Sequence, residues 1–309
     1  MLIFVVQGSF TFLNAQQDTR YSQFMMNGMR FNPAYSGAKE NLNITAFYRN
    51  QWLQIEDSPK QLFVGINDAF GKKEKVGLGL MIENDQIGVD QRTNVFASYA
   101  YKIDLAEGRL SAGIQGGASF FNSNLTKIET PEGGDDSSFR NDEQSITPNF
   151  GAGLLYYSEN YYLGFSVPHL LSYQKKESDN HSVSRLRGNY REYIFTMGGN
   201  IVLRPDVLDF RPAILVQYIP AEAPIEVDIN ASIVVKDAAW FGVTYRSNEI
   251  AKAESINFQF AYKMDNGLKV GYAYDHTLKS LGSQVGGSHE IMISFDLKSE
   301  LSKYTKTLF

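Results

Sequence analysis

The stretch Ser255-Ile256-Asn257-Phe258-Gln259-Phe260-Ala261-Tyr262-Lys263-Met264 decides the fold. In an extended chain Ile256, Phe258, Phe260, Tyr262 and Met264 fall on one face, and Ser255, Asn257, Gln259 and Lys263 on the other, the period of two that marks a β-strand. The same rhythm recurs on either side. Ile225, Val227, Ile229 and Ile233 oppose Glu226, Asp228, Asn230 and Ser232. Leu268, Val270, Tyr272 and Tyr274 oppose Lys269, Gly271, Ala273 and Asp275, and His289, Ile291, Ile293 and Phe295 oppose Glu290, Ser294 and Asp296. One face takes charge and the other does not. A soluble half-buried sheet alternates in the same way, so the period alone leaves two readings open.

The connections separate them. Strand cores beginning near Asn41, Lys60, Glu74, Gln91, Arg109, Pro148, Tyr161, Tyr190, Leu208, Ile225, Ala239, Ala253, Leu268 and Gly287 make about fourteen, an even number. Taken in order, the long connections around Asn122 to Thr147, Pro168 to Asn189 and Asp275 to Gly286 all fall at one end of the sheet. The tight turns at Ser158-Glu159, Arg204-Pro205-Asp206, Lys236-Asp237 and Asp265-Asn266-Gly267 fall at the other. A sandwich has no reason to sort its loops in this way, whereas outer-membrane barrels pair short periplasmic turns with long external loops. The expected fold is therefore all-β: a closed antiparallel transmembrane β-barrel with both termini in the periplasm. Closure also meets a physical need, because lipid offers no partner for an unpaired strand edge.

Composition is compatible but silent. The chain has 309 residues, 43% of them hydrophobic, with 18 Tyr, 21 Phe and no Cys. Its mean hydropathy of −0.27 suits a soluble protein, yet a barrel that alternates lipid-facing with lumen-facing residues averages to the same figure. No run approaches the roughly 18 apolar residues of a membrane-spanning helix. A net charge of −5 offers no basic footprint for nucleic acid.

Outside the barrel, residues 41–298, three segments are expected. Met1 to Ala15 is apolar and uncharged and reads as a signal peptide, although no Lys or Arg precedes its apolar run. Gln16 to Glu40 holds the turn-forming series Asn32-Pro33-Ala34-Tyr35-Ser36-Gly37 with Tyr21, Phe24, Met25, Met26 and Phe31 free to pack, so it is an ordered periplasmic or plug-like segment. The tail, residues 299–309, ends in Phe309, which shares with Phe295 the candidacy for recognition by the barrel-assembly machinery. Glycine-rich stretches at Gly77-Leu78-Gly79, Gly113 to Gly117 and Gly151-Ala152-Gly153 have two readings, sharp barrel curvature, which is favoured, and close approach of an inserted segment.

Catalytic constellations are missing. His169, His181, His276 and His289 show no HExxH or paired spacing, and without Cys neither a structural zinc site nor any other metal site or cofactor is expected. A hydrolase could in principle use His276 beside Asp275, or His289 between Ser288 and Glu290, but lumen or loop-edge polarity accounts for these residues. The acidic run Pro131 to Ser138 lacks EF-hand spacing and reads as a solvated loop. The chain is not expected to be an enzyme.

Several ordered motifs carry a family resemblance. Tyr21-Ser22-Gln23-Phe24-Met25, then Phe31-Asn32-Pro33-Ala34-Tyr35-Ser36-Gly37, resemble the opening signature of the PorP/SprF family, outer-membrane proteins of the type IX secretion system in Bacteroidota. Tyr48-Arg49-Asn50-Gln51-Trp52, Arg211-Pro212-Ala213 leading to Tyr218, Trp240 to Arg246, Tyr272 to Asp275 and Gly287 to Ile291 are similar to its later elements. The resemblance implies a barrel in the outer membrane that binds secreted cargo bearing a type IX C-terminal domain, such as a gliding adhesin, and supports its export or surface anchoring. The implied partners are that cargo, other type IX components and outer-membrane lipid. It carries over no catalytic residue. The positions it marks for packing or partner contact are Tyr21, Gln23, Phe24, Asn32, Pro33, Tyr35, Arg49, Gln51, Trp52, Trp240, Tyr245, Arg246, Tyr274, Asp275, His289 and Glu290. A channel or transporter for small solutes is the alternative.

Overall fold

The computed structural model describes residues 20–127, 141–171, 173–176, 183–186, 191–220, 225–248, 253–278, 286–297 and 307–308. The expected signal peptide, the acidic run at residues 131–138, His181 and all of the tail but Thr307 and Leu308 lie outside them. The barrel strands are β1 (Asn43–Asn50), β2 (Lys60–Phe70), β3 (Val76–Ile87), β4 (Asp90–Leu105), β5 (Gly108–Ser123), β6 (Glu143–Tyr157) and β7 (Tyr161–Val167). They continue with β8, in two pieces (Tyr193–Gly199 and Ile201–Arg204), then β9 (Leu208–Tyr218), β10 (Glu226–Val235), β11 (Ala239–Asn248), β12 (Ala253–Lys263), β13 (Leu268–Thr277) and β14 (Ser288–Asp296).

Each strand pairs antiparallel with the next, and β14 returns to β1 through Asp296↔Asn43 to His289↔Asn50, which closes a fourteen-stranded barrel. The two pieces of β8 count as one strand because both pair with β9, the first through Tyr193↔Tyr218 and the second through Ile201↔Phe210. Closure leaves the ladder with no terminal edge, as lipid demands.

Burial reverses the order of a soluble sheet. In β12, Phe258, Phe260 and Tyr262 are 54%, 43% and 47% exposed, while Asn257 and Gln259 between them are buried. Apolar side chains face outward and polar ones inward, the arrangement an apolar solvent selects. The same inversion holds in β1, where Ile44 and Tyr48 are exposed and Thr45 and Arg49 buried.

Connections are sorted as expected. At one end the strands are joined by residues 71–75, 106–107, 158–160, 205–207, 236–238 and 264–267; at the other by 51–59, 124–142, 168–192, 219–225, 249–252 and 278–287. The two-residue connection at 88–89 is a tight exception at the long-connection end. Residues 168–192 include a further hairpin, Tyr173–Lys176 with Val183–Leu186, that the sequence does not announce.

Candidate functional site

Residues 20–42, ahead of β1, occupy the barrel lumen. A 3-10 turn (Phe24–Met26), one helical turn (Gly28–Phe31) and a second 3-10 turn (Pro33–Tyr35) follow one another, the last capped by Asn32, whose Oδ1 accepts from Ala34 N at 2.9 Å. Asn32 is extended and Pro33 opens the turn, the cap chemistry that its sequence foretells. Tyr21, Phe24, Met25, Met29 and Phe31 are buried against inward-facing wall residues. Tyr21 stands edge-on to both Phe47 of β1 and Phe63 of β2, with ring centroids 5.7 and 6.1 Å apart.

Toward the long-connection end the segment is held by charge. Arg20 pairs with Glu226 and Glu254. The main-chain amides of Ser22 and Gln23 both donate to the Glu290 carboxylate, at 2.7 and 2.9 Å. Arg30 Nε and the Tyr21 hydroxyl meet on Glu83 Oε1, at 2.7 and 3.0 Å. Behind them the wall carries its own chain of charges: Arg49 to Asp275 at 2.9 Å, Asp275 to Arg246 at 3.2 Å, and Arg246 to Asp228 at 2.8 Å. Arg246 also donates to the Tyr21 carbonyl at 3.1 Å, and Arg49 to the Ser22 hydroxyl, so wall and segment form one network.

Toward the short-turn end the segment is held by shape. A Cβ at Gly77 would overlap the Ser36 carbonyl, one at Gly113 the Ala34 backbone, and one at Gly153 the Asn32 side chain. These glycines therefore admit an inserted chain, and the favoured expectation of barrel curvature is corrected on that ground. Hydrogen bonds in both directions complete the fit. Ser111 donates to Ala34 O at 2.7 Å, Asn32 donates to Leu154 O at 2.9 Å, and Lys102 donates to Gly37 O. Glu40 pairs with Arg109 at the foot of β5. Thr307 and Leu308 close over this region. Tyr35 donates to the Leu308 carbonyl and Thr307 to the Glu159 carbonyl, and both tail residues are buried. The cavity between Phe24, Phe31, Tyr35, Tyr162 and Leu308 has room for about one water.

The structure divides the marked positions. Tyr21, Gln23, Arg49, Arg246, Asp275 and Glu290 converge in the charged network, and Phe24, Asn32, Pro33 and Tyr35 lie on the inserted segment. Trp240 is buried in the wall beneath Lys269, whose Nζ is 4.5 Å from the ring centroid. Tyr245 points outward, and Tyr274 and His289 form a ring pair 5.2 Å apart on the outer register, where Tyr272 OH meets His289 Nδ1 at 2.6 Å. Arg49 and Trp52 part company: Arg49 is 3% exposed inside the lumen, while Trp52 stands 37% exposed in the connection 51–59, with half-buried Gln51 beside it. A buried Arg49 is in no position to touch a partner outside the barrel. The sequence reading missed Arg20, Arg30, Glu83, Asp228, Glu226 and Glu254. A charge in the inward register of a membrane strand, as Glu83 is, was the available signal, since it must find a partner inside.

The description "Type IX secretion system membrane protein PorP/SprF" matches residues 13–295. The chain belongs to the PorP/SprF family. It is thus a secretion-system membrane barrel, from a family of a non-enzymatic kind, and its place is the outer membrane, in company with other type IX components. No curated relative matches the sequence. Among solved structures it is similar to the Acinetobacter baumannii outer membrane protein Omp33, with 6% identity, TM-score 0.48, and coverage of 84% of this chain and 100% of that one. A Rh. blastica porin mutant gives 11% identity and TM-score 0.36, with coverage of 83% and 99%. The family's opening signature is thus the part of this chain that fills the lumen.

Proposed function

We propose that this barrel serves type IX secretion by holding a specific secreted partner, such as an adhesin carrying a type IX C-terminal domain, at the outer membrane during export or surface anchoring. The filled lumen is the observation that carries the reading. From Glu83, Asp275 and Glu290 near the long-connection end to Arg109 near the short-turn end, inward side chains are spent on the chain's own segment rather than on lining a conduit. A barrel so filled works through its mouths, and the long connections supply the area a partner needs. With the short turns in the periplasm, as outer-membrane barrels place them, those connections face outward.

Deletion of the gene, followed by immunodetection of type IX cargo on intact cells, tests the proposal. Loss of one cognate cargo from the surface with the others retained is the expected result. Undiminished display of every such cargo overturns it.

A further inference from the structure

The route of the inserted segment has a direction. Its first described residue, Arg20, pairs with Glu226, which opens β10, and with Glu254, one residue into β12. Both strand starts lie at the long-connection end. Ser22 and Gln23 sit on Glu290 in the upper part of β14, opposite Arg49 and Ala273. Met29 lies against Gly65 and Gly79, midway along β2 and β3. Ala34 then lies against Gly113 and Ser111, Gly37 against Asn67 and Asp68, and Glu40 against Arg109, next to the first residue of β5. The chain finally turns upward into β1 at Asn43. It has descended the whole lumen.

We infer that residues 20–42 cross the membrane inside the barrel, so that the polypeptide ahead of Arg20 is offered at the mouth framed by the long connections, on the opposite side from the end of β14. Fourteen wall strands return the chain to its starting side; one lumen crossing makes the number odd. On this inference Arg20 and the end of β14 lie on opposite sides, whereas the expectation was that both termini share the periplasm. A lumen-crossing segment also joins the two mouths physically. At the upper mouth Arg20 is clasped by Glu226 and Glu254; at the lower mouth Tyr35 holds Leu308 and Glu40 holds Arg109. A partner that draws on the upper end therefore acts on the lower one. That this upper mouth is the cell surface rests on the orientation taken in the proposed function.

Single-cysteine labelling tests the route, because the chain contains no cysteine to confuse the signal. Three variants of the full chain are probed in intact and in permeabilised cells with a membrane-impermeant maleimide: Thr19→Cys, just ahead of the crossing; Ile55→Cys, exposed in the connection 51–59; and Asp265→Cys, exposed in the short turn 264–267. Electrophoretic heat-modifiability confirms that each barrel is folded. Thr19→Cys and Ile55→Cys are expected to label on intact cells to the same extent, with Asp265→Cys labelling only after permeabilisation. A folded Thr19→Cys that follows Asp265→Cys, or that labels under neither condition, overturns the inference. If Asp265→Cys labels on intact cells and Ile55→Cys does not, the orientation fails, while the crossing stands or falls by whether Thr19→Cys tracks Ile55→Cys.

Discussion

The upper and lower halves of the inserted segment are the same guest held in two ways. Residues 20–30 are held by carboxylates and guanidinium groups, contacts that are strong only while every partner is present. Residues 31–40 are held chiefly by the absence of side chains on the wall, at Gly77 and Gly113, where backbone lies on backbone, and at Gly153, where the Asn32 side chain fits. The first grip depends on balance and the second on volume. A charge can be lost by one substitution without a clash, whereas the glycine cradle admits no added atom.

Removing one member of the upper network is expected to have the largest effect. Arg246→Ala leaves Asp228 and Asp275 facing each other inside the lumen, and breaking a buried ion pair from one side costs roughly 3–5 kcal/mol. A lowered urea midpoint for the variant in lipid bilayers checks this; an unchanged midpoint would show that water already solvates the network. Gly113→Val attacks the lower grip. Overpacking of this kind costs about 1–3 kcal/mol, and here it is relieved by expelling residues 31–36 rather than by opening the wall. The native protein is therefore expected to be silent in planar bilayers and Gly113→Val to conduct, a contrast that also decides against the solute-channel alternative. If the native barrel conducts freely, the lumen is not filled in the membrane.

Smaller effects sharpen the same contrast. Tyr35→Phe deletes the donor to the Leu308 carbonyl, a loss of about 1 kcal/mol, and is expected to expose the tail to carboxypeptidase without moving the unfolding midpoint of the wall. Arg20→Ala removes a buried guanidinium whose partners Glu226 and Glu254 keep side-chain exposures of 25% and 15%, so water recovers part of their charge and the loss is about 1 kcal/mol or less. Its signature is salt dependence: a difference from the native protein in protease sensitivity ahead of β1 that is present at low ionic strength and fades at high.

The wall was more legible in the sequence than its filling. Period-two stretches such as Ser255 to Met264 fix which face meets lipid, and ten of the fourteen expected strand starts fall within a residue of those observed or on them. Pro148 misled the reading of β6, because a proline invites a strand start, whereas here it sits within the ladder opposite Ala118 and the strand begins at Glu143. The interruption of β8 at Asn200 and the hairpin at residues 173–176 and 183–186 left no periodic trace. The site was legible only in part. The turn chemistry of Asn32 to Gly37 announced order, and the aromatics around it announced packing, but alternation says which side chains point inward and not what they meet there. The glycines carried that information in ambiguous form, since curvature and close approach both remove a Cβ.

The pairing of Ser22 and Gln23 with Glu290, and of Arg20 with Glu226 and Glu254, also dictates an order of events during biogenesis. Segment and partners are separated by most of the chain, so the amides and guanidinium made first find their carboxylates only when the last strands arrive. Contacts of such long range make folding slow. Until the last strands arrive, residues 20–23 lack their carboxylates, although Phe47, Phe63 and Glu83 of the first three strands already offer Tyr21 and Arg30 a place to bind. The lower part of the filling can therefore settle on the first five strands, and the charged upper grip is completed only together with the wall.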